Sequence, residues 1–295
     1  MLKKITYFFY TVSRGYSLPT SFTSWLVCFV YCLGYGGDFI NGIVALIGVT
    51  FAHLGANLLD DCIDTIFKVP KQKCKTEYLD KGHFTLKFIS IACGIYFLIA
   101  AAAGFYLFLQ SGVKVLLIAA IAAIIILLYP RLNHYALGEI AVALTYGVLL
   151  FSGISVVMTG VVTFKLLLLS VPVSLLIMNL LYAHSLMDYD FDSLNCKKTL
   201  CVRLGSKKLA LKLFLFIGLI AVLIHFVLIM KNILPICAGI IVIPVILYYL
   251  RAFSLLKNYI KTTEHKENDF MNIFKLARNA SMVYNLLVAA VLIVK

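Results

Sequence analysis

The chain has 295 residues, 62% of them apolar, a mean hydropathy of +1.00 and a formal charge of +13. Soluble domains average about 45–50% apolar residues, so composition excludes an ordinary soluble fold. The positive charge sits in loops between apolar runs, and no aromatic-interleaved basic domain exists. That excludes a nucleic-acid partner and leaves membrane topology and attraction to anionic lipid headgroups.

Lys3, Lys4 and Arg14 precede the first apolar run, at about 20–36. Arg14 and Pro19 stand before it and no small-residue cleavage site follows a short core, so the start does not read as a cleavable signal. The second run, about 39–59, ends in Asn57, Asp60, Asp61 and Asp64. A basic connection over about 60–85 carries Lys68, Lys71, Lys73 and Lys75. The third and fourth runs, about 86–109 and 113–129, lead to Tyr129, Arg131 and His134. Glu139 opens the fifth, about 137–159. The sixth, about 164–187, ends in Asp188, Asp190 and Asp192, followed by Lys197, Lys198 and Arg203 in a connection over about 188–208. Three more runs follow, at about 209–230, 233–250 and 277–294. Between the last two, Phe253, Leu256, Tyr259 and Ile260 among Lys257 and Lys261 suit an interfacial amphipathic helix.

Runs of roughly 20 apolar residues are long enough to span a bilayer as helices. The expected architecture is all-α: a single membrane domain, 1–295, with nine transmembrane helices around a central cavity. With the N-terminus in the cytoplasm, 22 of the 26 Lys and Arg fall on the cytoplasmic side, leaving Lys114, Lys165, Lys231 and Lys295 outside. Both aspartate sets and their loops then lie in the cytoplasm, and the C-terminus lies outside. His53 precedes Asn57 by four residues, as His184 precedes Asp188, which suggests a quasi-repeat of helices 1–4 and 5–8. Of eight cysteines none forms a CxxC pair, and Cys62, Cys74, Cys196 and Cys201 fall on the reducing side; free thiols are expected and zinc is not.

Six of the thirteen acidic residues are in the two aspartate sets. Carboxylates beside hydrocarbon are expensive, so such a set marks a functional site. Clustered carboxylates suit Mg²⁺, which is commonly held by one or two carboxylates plus substrate phosphates. Two such sets across a cavity would clamp a diphosphate and stabilise its leaving oxygen. A diphosphate at a membrane surface with an apolar interior behind it points to a prenyl diphosphate, whose departure leaves a carbocation that aromatic walls shelter.

At these residues the chain resembles the UbiA-type intramembrane aromatic prenyltransferases. The first family motif reads here Asn57-Leu-Leu-Asp60-Asp61-Cys-Ile-Asp64-Thr-Ile-Phe-Lys68, and the second Asp188-Tyr-Asp190-Phe-Asp192. The string Lys197-Lys-Thr-Leu-Cys-Val-Arg203-Leu-Gly205 is similar to the 1,4-dihydroxy-2-naphthoate polyprenyltransferases of menaquinone biosynthesis, as are Arg14-Gly-Tyr-Ser-Leu-Pro19, Asp80-Lys-Gly82 and Tyr135-Ala-Leu-Gly138-Glu139. Asp60 stands where the motif has Asn, and Lys68 where a further Asp often sits. The resemblance implies Mg²⁺-dependent transfer of a polyprenyl group to an aromatic acceptor, with two Mg²⁺ bridging the substrate diphosphate. It implies Asn57, Asp60, Asp61, Asp64, Asp188 and Asp192 as catalytic, with Asp190 added to these aspartates as metal ligands. Arg14, Lys68, Lys197 and Arg203 would meet the diphosphate; Tyr129, Arg131, His134 and Glu139 would meet the acceptor. Other acceptors, such as 4-hydroxybenzoate, a tetrapyrrole precursor or glycerol phosphate, stay open. A cation transporter is disfavoured, because all the acids except Asp38 gather on or near one face.

Overall fold

In lipid, every backbone N–H and C=O must be satisfied within its own segment, which leaves helices or closed barrels. The computed structural model describes residues 2–67, 77–195, 197–262 and 267–294, and among them the regular structure is helical. In chain order the helices are α1 (Leu2–Tyr7, continued by a π-helical turn Phe8–Val12), α2 (Leu18–Leu33), α3 (Phe39–Ile66), α4 (Glu77–Asp80), α5 (Leu86–Ser111) and α6 (Val113–His134). Then come α7 (Gly138–Leu144), a π-helical turn (Thr145–Leu149), α8 (Leu150–Thr159), α9 (Phe164–Met187), α10 (Tyr189–Leu194) and α11 (Leu200–Arg203). The last three are α12 (Lys207–Met230), α13 (Val242–Tyr259, after a 3₁₀ turn Ile236–Ile241) and α14 (Glu267–Val294).

Eight of these stretches are long and apolar enough to cross a membrane, with α7 to α8 counted as one continuous span. The expected first span is α2, whose 16 residues fall short of that length. It rises only about 24 Å at ~1.5 Å per residue, yet its residues from Val27 to Cys32 are buried, which makes it an interior helix. The chain is thus an integral membrane protein whose nine expected segments are all helical.

Local chemistry sets the boundaries. Asp38, Thr85 and Thr163 cap α3, α5 and α9 by accepting the backbone N–H groups of Asn41, Phe88 and Leu166. Helices α5 and α8 stop at Gly112 and Gly160, both at positive φ. Two boundaries differ from the sequence reading. Helix α3 runs on to Ile66, so Asp60, Asp61 and Asp64 occupy its last two turns and are not part of a loop. Helix α13 runs to Tyr259 with Leu256 fully buried, so the expected interfacial helix is its continuation, held by packing on the core.

The spans pack in chain order as a ring: α2 on α3, α3 on α5, α5 on α6, α6 on α7 and α8, α7 on α9, α9 on α12, α12 on α13 and α13 on α14, with α14 closing against α2. Helix α9 is innermost: 67% of its apolar window is buried, against 11% for α5 and α6, which face lipid. Buried polar side chains join helices where the ring closes, with Asn285 Nδ2 donating to Thr23 and Ser24 across α14 and α2. At the aspartate end, Tyr7 stacks on Phe84 and Phe8 meets the same ring at a tilt, and Val12, Leu58, Tyr78, Phe84 and Ile89 make a second small core. That core fastens the N-terminal turn and the α4 segment over α3 and α5.

The π-helical turn of the fifth span lies against α9, and a Cβ at Gly147 would stand 2.6 Å from Ser174 Cβ. Gly147→Val should therefore overpack this crossing and cost about 1–3 kcal/mol, read as a lower thermal midpoint of the purified protein. Gly104→Ala, where the added carbon meets open space, should leave that midpoint unchanged or slightly raise it.

Candidate active site

At 3.6 residues per turn, His53, Asn57, Asp60 and Asp64 share one face of α3. All four are partly open, while Leu54, Leu58 and Cys62 on the flank are buried. The face looks into the ring. His53 Nε2 bonds Ser17 Oγ at 3.1 Å, and its Nδ1 meets Ser21 Oγ at 2.6 Å and Tyr146 Oη at 3.1 Å, joining α2, α3 and the π-helical turn. Both imidazole nitrogens are engaged, so His53 organises the wall beneath the acids. Beyond His53 the same face turns apolar at Val49 and Leu46.

Asp61 points elsewhere. Arg14 Nη2 donates to its Oδ1 at 2.6 Å and Tyr78 Oη donates to its Oδ2 at 2.7 Å; the side chain is 1% exposed. The other guanidinium nitrogen lies 3.6 Å from Asp60 Oδ2. Burial opposes the charge on Arg14, but Asp61 and Asp60 outweigh it and hold the guanidinium ionised above its ordinary range. Burial first, and Asp61 second, push the Tyr78 hydroxyl well above the usual tyrosine value, so it stays a donor at neutral and moderately alkaline pH. Arg14 itself sits in a left-handed conformation, φ 54° and ψ 39°. Asn57 Nδ2 donates to the Ser13 carbonyl at 3.2 Å and Ser17 Oγ to the Arg14 carbonyl at 2.7 Å, fixing that turn.

The second set breaks the helix. Asp188 ends α9 and caps α10, and the Asp192 N–H donates to its carbonyl. Asp188 Oδ2 lies 3.3 Å from His184 Nδ1, and Asp192 Oδ1 lies 3.5 Å from Lys197 Nζ. Phe270 of α14 stands edge-on to the His184 ring at 5.1 Å. Asp190 is different: its side chain is 61% exposed and paired with Lys207. Arg203 is exposed at the end of α11, with no ion pair to the aspartates among the described residues. Lys68, Lys71, Lys73 and Lys75 lie outside the described residues.

The end of α6 connects the two sets. The fields of Lys197, Asp64 and Asp60 all act at His134, whose carbonyl accepts the Lys198 N–H at 3.2 Å. Tyr129, one turn earlier, feels Asp60, Glu139 and Arg14. Glu139 is fully buried and accepts from Ser185 Oγ at 2.8 Å, so it braces α7 against α9 beneath Asp188. Arg131 is exposed near the end of α6.

Tyr78, Ser17, Ser21, Tyr146 and Phe270 were not singled out from the sequence. Each reaches the site across 32 or more residues of chain, or, for Tyr78, from a short polar segment 17 residues beyond Asp61. None of them carries a local sequence signal, although in the structure Tyr146 lies in a π-helical turn, which is frequent at functional sites. Among the described residues no three His, Cys, Asp or Glu side chains converge into a protein-only metal cage. Acids in pairs, beside cations and a partly open interior, fit an ion completed by phosphate and water oxygens better than a caged one.

No functionally curated protein matches the chain in sequence. Solved structures share its fold. An apo structure of a UbiA homologue from Aeropyrum pernix K1 superposes with TM-score 0.70 at 18% identity, over 93% of this chain and 97% of that one. A UbiA homologue from Archaeoglobus fulgidus, bound to GPP and Mg²⁺, gives 0.62 at 17% identity, over 96% and 99%. A structure described for the biosynthesis of digeranylgeranylglyceryl phosphate synthase in membranes gives 0.67 at 16% identity, over 99% and 100%. The model of the UbiA prenyltransferase family matches residues 21–276, most of the chain, and the chain therefore belongs to that family.

Proposed function

We propose that the protein transfers a polyprenyl group from an allylic prenyl diphosphate to an aromatic acceptor, 1,4-dihydroxy-2-naphthoate, as in menaquinone biosynthesis. The observation that carries the prenyl-diphosphate half is Arg14, a fixed and partly open cation beside Asp60 at the mouth of an interior that turns apolar beyond His53. The Archaeoglobus homologue with GPP and Mg²⁺ supports the same reading. The acceptor rests on the Lys197–Gly205 string and its companions, which resemble the naphthoate branch.

Asp60 and Asp64 on α3, with Asp188 and Asp192 at the α9–α10 break, would hold Mg²⁺. Bound there, Mg²⁺ neutralises the diphosphate and stabilises its leaving oxygen. Arg14 and Lys197 add fixed positive charge where negative charge develops. Tyr129 and His134 lie near the first acid set and Phe270 beside His184 at the second, and aromatic rings turned to the allylic carbon would stabilise a cation there. The acceptor ring attacks the allylic carbon as the carbon–oxygen bond to diphosphate breaks, and the ring then loses carbon dioxide or a proton. The N-terminus and the aspartate end would face the cytoplasm, by the excess of Lys and Arg on that side.

Membranes containing the protein should convert a polyprenyl diphosphate and 1,4-dihydroxy-2-naphthoate to the prenylated naphthoquinol, read by mass. Chelation should stop the reaction and Mg²⁺ restore it. Asp64→Ala/Asp188→Ala should lose at least ~100-fold in turnover, the scale of a lost metal contact. Full activity in that double variant would sink the site, while product formed only with 4-hydroxybenzoate or glycerol phosphate would reassign the acceptor.

A further inference from the structure

We propose that Asp61, although it belongs to the acidic run, does not ligate metal: with Tyr78 it is a positioning residue that sets Arg14 as the fixed cation of the diphosphate site. This rests on the prenyl-diphosphate reading of the site and names how one of its parts is held.

Three observations converge. Both Asp61 oxygens are spoken for, Oδ1 by Arg14 at 2.6 Å and Oδ2 by Tyr78 at 2.7 Å, in a side chain 1% exposed. Its direction is also wrong for a shared metal. Asp60 and Asp64 are four residues apart on the open face of α3, whereas Asp61 is rotated about 100° from Asp60 toward buried Leu58 and Cys62. Finally, Arg14 occupies a left-handed conformation that a side-chain-bearing residue adopts only when its surroundings impose it. Those surroundings are Asp61, Asn57 and Ser17, each bonded to the Ser13–Arg14 turn or its guanidinium.

To recruit Asp61 for metal, the buried pair would have to open, leaving Arg14 without its counter-ion. As built, the guanidinium spends one edge on Asp61 and lies at 3.6 Å from Asp60, and a guanidinium has five N–H donors in a planar fork suited to phosphate. Tyr78 arrives from α4, whose segment is packed on the N-terminal turn through Phe84. Asp61 therefore bonds three separate pieces of chain, α3, the N-terminal turn and the α4 segment, at one point beside the site.

The test uses the full chain in nanodiscs, as wild type, Asp61→Asn, Tyr78→Phe, Arg14→Lys, Asp64→Asn and the double variant Arg14→Lys/Asp61→Asn. Mn²⁺ binding is titrated by electron paramagnetic resonance in the presence of inorganic diphosphate. Affinity for the diphosphate is measured separately by calorimetry. Asp61→Asn should keep the wild-type Mn²⁺ stoichiometry and midpoint within about twofold while weakening diphosphate by about tenfold or more, the scale of a charge-assisted hydrogen bond. Tyr78→Phe should move diphosphate affinity in the same direction by less. Asp64→Asn should shift the Mn²⁺ midpoint. The double variant should be no weaker for diphosphate than the worse single one, because both substitutions remove one interaction. Loss of a bound Mn²⁺ in Asp61→Asn, or additive losses in the double variant, would overturn the proposal. If Asp61→Asn fails to fold, Arg14→Lys and Tyr78→Phe decide it by the same two titrations. The binding arms read Asp61 whether or not any aromatic product forms, so a missing product counts against the acceptor alone.

Discussion

A carboxylate at the edge of hydrocarbon must be neutralised, and this constraint organises the end of the molecule where the chemistry lies. Asp61 takes Arg14 and Tyr78, Asp188 takes His184, Asp192 takes Lys197 and Asp190 takes Lys207. Apart from His184, which lies on α9 one turn before Asp188, these partners come from the N-terminal turn, α4, the α11 connection and α12. Satisfying the aspartates therefore draws otherwise separate polar segments onto the ring of apolar helices. The apolar ring supplies the scaffold, and the acids decide what is fastened to it.

The six aspartates are not equivalent once their partners are known. Asp60 and Asp64 stay partly open on the inward face of α3, Asp188 and Asp192 are buried against His184 and Lys197, Asp61 is sealed in a three-part contact, and Asp190 faces out. Equal residue type within a short run thus hides different environments. The distinction follows from helix geometry: neighbours in sequence differ by about 100° in direction, so one of two adjacent aspartates faces the interior while the other faces packing. At Asp188 the helix itself changes, and the resulting break turns Asp190 toward Lys207.

The second dependence is on the wall beneath the acids. His53, Ser17, Ser21 and Tyr146 join α2, α3 and the π-helical turn through hydroxyl and imidazole groups. Buried Glu139 and Ser185 do the same for α7 and α9. These contacts hold the polar ends of the spans in register where apolar packing alone would let neighbouring helices slide.

The sequence by itself determined the all-helical membrane architecture, the order and approximate extent of its segments, and the two aspartate sets with the family they resemble. Those properties are local: length, apolar periodicity and motif spacing are written in consecutive residues. It misjudged where local signals compete with packing, ending the second span before Asp60 and separating Phe253–Ile260 from the eighth. Only the tertiary structure decided which aspartates look inward, that Arg14 is bonded to Asp61 beside Asp60, and that Tyr78, Tyr146 and Phe270 join the site. The Arg14–Asp61 contact spans 47 residues and the Ser21–Tyr146 contact 125. No periodicity along one chain encodes a partner at such a distance, because the pairing is set by how the ring of helices closes.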